Sequence, residues 1–505
     1  MSNLHIIVQA GGRGSRLRHH TWNKPKCLVS IQGKPILYHL FDKFPSAHFH
    51  IVGDYAYDQL EKYLAVNTPT VVYTLHKSTE KGTLAGIAYS AGSIPPNDPV
   101  MLVWGDLIVK TVPQWPQNNL PVIGVTNKIA CRWSLHERVL KEQPGPEGLP
   151  GLFYFPRAEL LTNIPTNGEF AEWLRDSVKE FDTVSINDLE EIGDFATVEF
   201  QNNRLGFSRF FNDVSITDTT VIKKAIDSNY ADLIHNEQQW YHDVKELGFR
   251  RIPKIISTEP YTMSRILGQH AYQMTDLTSR EKRAVLSDYI DTLMNLHSLS
   301  STSAKAEEVI DAYITKTLKR VTSVATLIPN FDQPVITVNG IKCRNIFSIE
   351  HQHLFDVIQK ELTPTIFTPI HGDPTFSNSL VDDNLRVWFI DPRGYFSKPG
   401  IWGDPMYDFA KVYYSAIGGY DTFNRRKFKL HIDSETVEIL LEPTLFSDCA
   451  EDIFLGYFNQ NLTKIKILHG LIWLSLSGYV KDDIDSIIGS FYFGLYHLEQ
   501  GLKNL

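Results

Sequence analysis

Cysteine is scarce in this chain. Four residues in 505 (Cys27, Cys131, Cys343, Cys449) stand far apart and form no Cys-x-x-Cys pair, which excludes a zinc ribbon and a disulfide framework. Long apolar runs are also missing: the most apolar late stretch, Leu471–Val480 (LIWLSLSGYV), is too short to span a bilayer. The opening MSNLHIIVQAGG has neither the basic n-region nor the long apolar h-region of a secretory signal. Together these absences give a cytoplasmic location without a membrane partner as the expectation. Basic charge is not in excess either. With 49 Lys and Arg against 58 Asp and Glu, the net charge of −9 argues against a general nucleic-acid binder. No internal repeat and no low-complexity linker is present. What is present is the balance of a folded protein, 43% hydrophobic and 21% charged. The length exceeds one ordinary core, so two or three domains are expected.

The first part alternates apolar runs with helical patterns. LHIIVQA (4–10), HFHIVGD (48–54), TVVYTL (70–75), VMLVWGD (100–106) and PVIGVTN (121–127) read as strands, with helices over Ile36–Phe44 and Thr83–Ala91 between them. This alternation predicts a mostly parallel sheet covered by helices, with ligands outside the carboxyl ends of its strands. The character changes near residue 200. Leu205–Ala225 alternates like antiparallel strands, Tyr230–Leu247 reads as a helix, and from about Leu277 the pattern is mostly helical, apart from strand-like runs around 335–343 and 385–390.

The first constellation opens directly behind a strand. In VQAGGRGSRL, Gly11, Gly12 and Gly14 let backbone N–H groups approach a ligand, and Arg16 can reach a phosphate oxygen. Asn23-Lys24-Pro25-Lys26 adds a lysine pair beside this turn, and Trp104-Gly105-Asp106 ends an apolar strand with a carboxylate suited to Mg²⁺. These pieces resemble the sugar-nucleotidyltransferase superfamily over roughly the first 200 residues: GGxGxRL at Gly11–Leu17, PKxL at Pro25–Leu28, and the metal aspartate at Asp106. The resemblance implies a triphosphate cradle with Arg16 and Lys26 as catalytic cations. It also implies base and ribose contacts at Gly82 and Thr83, and a second metal ligand from Glu191 or Asp194 in the late acidic motif. Many members carry a lysine for the acceptor phosphate where Gln143 stands here, with Arg132, Arg138 and Lys141 as possible substitutes.

A second constellation lies far downstream. In His371-Gly372-Asp373-Pro374-Thr375-Phe376-Ser377-Asn378, Asp373 and Asn378 have the D-x-x-x-x-N spacing, and Asp391 ends the run VWFID eighteen residues beyond Asp373. Phosphoryl transfer needs a carboxylate to accept the hydroxyl proton, plus an amide and a carboxylate for Mg²⁺. Upstream, Val221-Ile222-Lys223-Lys224 precedes a helical stretch carrying Glu237. Residues 205–505 resemble the aminoglycoside phosphotransferase and choline kinase family. That resemblance implies Asp373 as base, Asn378 and Asp391 as metal ligands, and Lys223 with Glu237 on the ATP phosphates. Gly403-Asp404-Pro405 through Asp408 matches a mainly structural segment of the family, the nucleotide loop falls near Gly206–Asp213, and Arg265 stands at the hinge.

The expected architecture is therefore an α/β domain over 1–200, Rossmann-like with a mostly parallel sheet. An α+β, protein-kinase-like bilobal domain follows over 205–505, its small lobe to about 270 and its helical large lobe from 271. A kinase makes a phosphomonoester and a nucleotidyltransferase consumes one. Their fusion resembles a choline kinase joined to a cytidylyltransferase, which implies ATP, Mg²⁺ in both sites and CTP as favoured second nucleotide. It further implies a small alcohol as acceptor and an activated product for surface polysaccharide or lipopolysaccharide synthesis. The alternative is an anomeric sugar kinase joined to a uridylyl- or guanylyltransferase. Trp388, Tyr395, Phe396, Trp402, Tyr407, Tyr413 and Tyr414 near the second loop read mostly as core, with a cage for a quaternary ammonium as the functional option. Glu350–His353 reads as a polar helix start, and His19 and His20 as solvated loop residues.

Overall fold

The computed structural model describes residues 4–116, 118–203, 212–225 and 231–503. The chain divides into two units, residues 1–204 with the short segment 481–485, and residues 205–480 with 486–505.

In the first unit the five apolar runs become β1 (His5–Gln9), β2 (His48–Gly53), β3 (Val72–Lys77), β4 (Val100–Trp104) and β5 (Val122–Val125), and two strands not read from the sequence, β6 (Leu152–Phe155) and β7 (Asp182–Ser185), join them. They form a seven-stranded sheet in the order β7-β5-β6-β4-β1-β2-β3. Only β6 runs antiparallel to its neighbours. Central strands of a parallel sheet are covered on both faces, which is why β1 and β4 are buried almost throughout. On one face α1 (Ile36–Lys43) brings Phe41 edge-on to Phe49 at 4.8 Å. On the other, α3 (Ile87–Gly92) seats Ile87 and Ala91 among Ile7, Val52 and Leu102; α2 (Tyr57–Val66) lies between these helices in the chain. The helix expected from Thr83 starts only at Ile87, after a turn at Gly82–Ala85. Further on, α4 (Phe170–Ser177) buries Phe170, Ala171 and Leu174, and α5 (Phe195–Asn203) follows the late acidic motif.

The second unit opens with an antiparallel sheet of β8 (Asn212–Ile216), β9 (Thr220–Ala225), β10 (Ile255–Thr258) and β11 (Tyr261–Ser264), in the order β8-β9-β11-β10, with α6 (Ala231–Glu246) after β9. The expected nucleotide loop lies outside the described residues over 206–211. Helices dominate thereafter. α7 (Ser279–Ser298) starts on a Thr278/Glu281 capping box, and α8 (Lys316–Thr322) follows a single π-helical turn. The ribbons β12 (Val335–Val338) with β13 (Ile341–Arg344), and β14 (Ser379–Val381) with β15 (Val387–Phe389), come next. α9 (Pro405–Ala416) begins with Asp404 as its N-cap, accepting from Met406 N at 2.9 Å, and with proline at N1. One expectation needs correction. A hairpin, β16 (Phe428–Ile432) with β17 (Thr436–Leu441), interrupts the region read as helical, and its alternation is plain: Phe428, Leu430, Val437 and Ile439 are buried, while Lys429, His431, Glu438 and Leu440 face outward. The apolar stretch LIWLSLS lies in α10 (Leu462–Ser477), a core helix whose Trp473 packs on Tyr414 at 4.6 Å. No helix among the described residues is long and apolar enough to cross a membrane.

The parallel register places His5 opposite His48, with His50 and His76 on the same face of neighbouring strands. His5 Nδ1 meets His50 Nε2 at 3.0 Å, and His50 Nδ1 meets His76 Nε2 at 3.3 Å. Burial, reinforced by His48, His5 and His76, pushes the His50 pKa down to about 3. His50 is therefore neutral in the fold and must take up a proton on unfolding in acid. Its contribution is complete above about pH 6.5 and is lost as pH falls towards 3, by at most about 1.4 kcal/mol per pH unit. Melting curves of the full chain should show this loss, and His50→Gln should flatten the slope below pH 6. An unchanged slope would contradict a buried neutral His50.

Candidate active sites

The first site is assembled where β1 and β4 end. Gly11 has no room for a side chain, since a Cβ there would lie 2.8 Å from Asp54 Cβ, whereas Gly12 faces open space. Gly14 adopts φ +63°, which turns the chain so that Leu17 N donates to Gly14 O at 2.8 Å. The two arginines diverge. Arg13 stacks over Tyr55 at 5.4 Å from the ring centroid, and Arg16 is exposed, its charge adding to the Thr197 hydrogen bonds that lower the Asp194 carboxyl pKa.

Behind β4, Gly105 passes so close to β1 that a Cβ would sit 2.6 Å from Gln9 O, and this crossing sets Asp106 beside the glycine turn. Lys26 Nζ then reaches Asp106 Oδ2 at 2.6 Å, while Asp106 Oδ1 is buried with no hydrogen-bond partner. Glu191 comes alongside on a short ribbon, where it pairs with Leu107 and Ile192 N donates to Asp106 O at 2.9 Å. Burial, and then the Asp106 charge, raise the Glu191 pKa against the pull of Lys26 and Arg16. Asp194 is used differently: it is exposed, and its Oδ1 accepts from Thr197 N and Oγ1 at 2.8 and 3.0 Å at the start of α5.

Gly82, at φ +90°, packs on the Gly168 backbone and lines an open cleft of about 550 Å³ with Thr79, Lys81 and Asn167. The Thr83 side chain is already engaged, donating to Glu169 Oε2 at 3.2 Å and accepting from Phe170 N at 2.7 Å. Lys24 does not join Lys26. It is buried between Asp483 Oδ1 and Asp485 Oδ2, each at 2.6 Å, and these carboxylates outweigh the effect of burial and raise its pKa. Around Gln143, Arg132 is paired with Glu142 and Arg138 with the Phe181 carbonyl, which leaves Lys141 exposed and without an ion pair among the described residues. His20 is buried against Glu199 at 3.2 Å rather than solvated.

In the second unit, Lys223 is buried and Lys224 exposed on β9. Lys223 Nζ lies 2.7 Å from Glu237 Oε1 and also pairs with Asp391 Oδ1; Tyr261 donates its hydroxyl to Glu237 at 3.1 Å. Burial opposes the Lys223 charge, but Asp391 and Glu237 outweigh it and raise the pKa. Asp391 sits at φ +55°, in the left-handed region that aspartate tolerates better than most residues. Asn378 Nδ2 donates to Asp373 Oδ2 at 2.8 Å, and Lys411 Nζ pairs with the other oxygen, Oδ1, at 2.9 Å. Arg265 at the hinge donates to Thr217 O at 3.0 Å.

Two residues of this site carried no catalytic signal in the sequence. Lys411 and Asp408 stand one turn apart on α9, a helix that is distant from the loop in the chain. Fully buried Asp408 accepts from His371 N and Gly372 N, each at 2.8 Å, with His297 Nε2 at 3.0 Å. Three of the seven aromatics read as core or cage face the protein's own cations: Arg393 lies over Tyr395 at 4.1 Å, Lys316 and Lys411 over Tyr407 at 5.5 and 5.9 Å, and Lys411 over Tyr414 at 5.2 Å.

Residues 6–115 match the family model of the MobA-like NTP transferase domain, and residues 206–429 match that of the phosphotransferase enzyme family. The chain thus joins a domain of a nucleotidyltransferase family to a domain of a phosphotransferase family. Among curated proteins it is 27% identical over 110 residues to the bifunctional protein GlmU of Marinobacter nauticus, a match that covers 21% of this chain and only 23% of that protein. Among solved structures, HddC of Yersinia pseudotuberculosis aligns at 19% identity over 39% of this chain and 98% of its own, with a TM-score of 0.33. The CTP:phosphocholine cytidylyltransferase LicC of Streptococcus pneumoniae aligns at 16% over 38% of this chain and 95% of its own, also at 0.33.

Asp408 holds the turn that presents Asp373. Asp408→Asn should weaken two charge-assisted hydrogen bonds and cost about 2–3 kcal/mol in chemical denaturation. It should also lower kcat of ATP-dependent phosphorylation about tenfold or more with KM for ATP little changed. An unchanged kcat would remove Asp408 from the positioning role.

Proposed function

We propose that the second unit phosphorylates a small alcohol with ATP and that the first unit couples the resulting phosphomonoester to a nucleotide. The steps balance as R–OH + ATP giving R–O–PO₃ + ADP + H⁺, then R–O–PO₃ + NTP giving NDP–R and pyrophosphate. The observation that carries this reading is the pair of separate lysine–carboxylate sets, Lys26/Asp106/Glu191 and Lys223/Glu237/Asp391, with Asp373 in the second unit held between an amide and a lysine.

In the first site Gly11, Gly12 and Gly14 would cradle the triphosphate, with Arg16 and Lys26 on the oxygens that gain charge as pyrophosphate leaves. Gly82 and Thr83 belong to the base and ribose side, Thr83 through its backbone because its hydroxyl is engaged. In the second, Lys223 would grip the α- and β-phosphates and Asp373 would take the hydroxyl proton.

Nucleotidyltransferase and kinase families generally use Mg²⁺, and the donor sets suit it. The orphaned, buried Asp106 Oδ1 with Glu191 beside it offers hard oxygen ligands in the first site, and Asn378 with Asp391 offers them in the second. Asp194 is the weaker ligand candidate, since it caps α5. When bound, the ion would neutralise and orient phosphate oxygens. CTP is the favoured second nucleotide, from the resemblance in motif order to fused kinase–cytidylyltransferases, and an activated group for surface polysaccharide or lipopolysaccharide synthesis is the product class. Covered faces on Tyr395, Tyr407 and Tyr414 speak against a quaternary ammonium acceptor and leave a sugar as the second reading.

Asp373→Ala should abolish ADP release while pyrophosphate release from supplied phosphomonoester and NTP continues. Asp106→Ala should do the reverse. If each variant, folded by its melting curve, lost both activities, the two-site reading would fail.

A further inference from the structure

Asp373 has two faces. Its Oδ2 meets Asn378 on the side assigned to nucleotide and metal, and its Oδ1 meets Lys411. On the Lys411 side, three cations converge on one ring. Lys316 and Lys411 lie 5.5 and 5.9 Å from the Tyr407 centroid, and Arg393 donates to the Tyr407 hydroxyl at 3.2 Å. Arg320 stands one turn beyond Lys316 on α8, donating to Ser475 Oγ at 3.0 Å. Among the described residues only two carboxylates act on this group, Asp373 on Lys411 and Arg393, and Asp311 on Lys316. Asp373 is taken by Lys411, and Asp311 accepts from the Ser397 hydroxyl at 2.7 Å. Lys316 itself forms no ion pair or hydrogen bond among the described residues. Burial, then Arg393, Arg320 and Lys411, push its pKa well below the ordinary lysine value. Gathering cations in excess of carboxylates in a partly buried place destabilises a fold. This one keeps them beside the carboxylate assigned to accept the substrate proton.

We propose that the alcohol phosphorylated by the second unit carries an anionic group of its own, a carboxylate or a phosphate, bound by Lys316, Arg393 and Arg320 while its hydroxyl meets Asp373. The proposal rests on the kinase reading above and names the substrate class of that site. Guanidinium groups suit planar or tetrahedral oxyanions, and Lys411 holds Asp373 through its Oδ1 at 2.9 Å. The O–H proton goes to Asp373, the hydroxyl oxygen bonds to the γ-phosphorus, and ADP leaves. The ammonium of choline or ethanolamine would face Lys316, Arg393 and Arg320 in that place.

Two measurements on the full chain test this. With saturating ADP and Mg²⁺, inorganic phosphate should raise the melting temperature of the wild type. Lys316→Met should abolish that shift and itself melt higher without phosphate, because an uncompensated charge is gone, and Lys316→Arg should restore the shift. The proposal is overturned if Lys316→Met keeps the shift, or if ADP alone removes it from the wild type, which would assign these cations to the ATP phosphates. In the second measurement, ADP release is compared for glycerate, glycerol 3-phosphate, glycerol, a free hexose and choline. The two charged glycerol derivatives separate carboxylate from phosphate recognition, and either should exceed glycerol about tenfold in kcat/KM. Faster turnover of glycerol, hexose or choline overturns the proposal and leaves the kinase reading intact. Absence of ADP release with every acceptor counts against the kinase reading, while the phosphate shift still reports on the anion site.

Discussion

Lys26 Nζ stands 2.6 Å from Asp106 Oδ2, and Lys223 Nζ stands 2.7 Å from Glu237 Oε1. Phosphate chemistry requires cations for the phosphate oxygens and carboxylates for a metal, and a folded chain cannot hold either kind of charge out of water alone. Storing each against the other meets that constraint, and much of the local structure follows from it. Gly105 has no side chain because β4 must pass over the Gln9 carbonyl to deliver Asp106. Gly14 turns through φ +63° so that Lys26 packs against it. Asp391 takes up left-handed backbone, with its own N–H donated to the Tyr241 hydroxyl at 3.2 Å, so that its carboxylate reaches Lys223.

The same constraint shows where charge is left unbalanced. Among the described residues, Asp106 Oδ1 has no hydrogen-bond donor and Lys316 forms no ion pair or hydrogen bond. Each sits beside a residue assigned to the chemistry, Lys26 in one unit and Lys411 in the other. Stability given up at such points is the ordinary signature of a site shaped for something outside the chain. Lys24 is the contrast. It lies two residues from Lys26, yet its charge is fully matched by Asp483 and Asp485, and it has the character of a structural ion cluster.

Much of this was legible along the chain, and the reason differs by residue. VMLVW followed by Gly-Asp reads as a buried strand ending in an acid because continuous apolar runs mark parallel strands. The D-x-x-x-x-N spacing is local and needs no tertiary knowledge. Lys223 against Lys224 is a harder case, since alternation places one on each face without saying which face is the cleft. Lys411, Asp408, Lys316 and Arg320 act only once distant helices meet the catalytic loop. The spacing of Lys316 and Arg320 reveals a shared helix face but nothing of what that face meets. The histidine row is similar, because His5, His50 and His76 meet through strand register, which the sequence does not specify. The hairpin of β16 and β17 was readable from its alternation and was obscured only by its helical surroundings.

One measurement bears on the whole account: the fate of the γ-phosphate of ATP. The full chain is incubated with γ-labelled ATP, CTP, Mg²⁺ and the acceptor panel of carboxylated, phosphorylated and neutral alcohols. The label should be recovered as the phosphate that joins the alcohol to CMP in the nucleoside diphosphate product. Label found only as orthophosphate, or confined to a phosphomonoester that never acquires a nucleotide, would contradict two consecutive transfers by one chain.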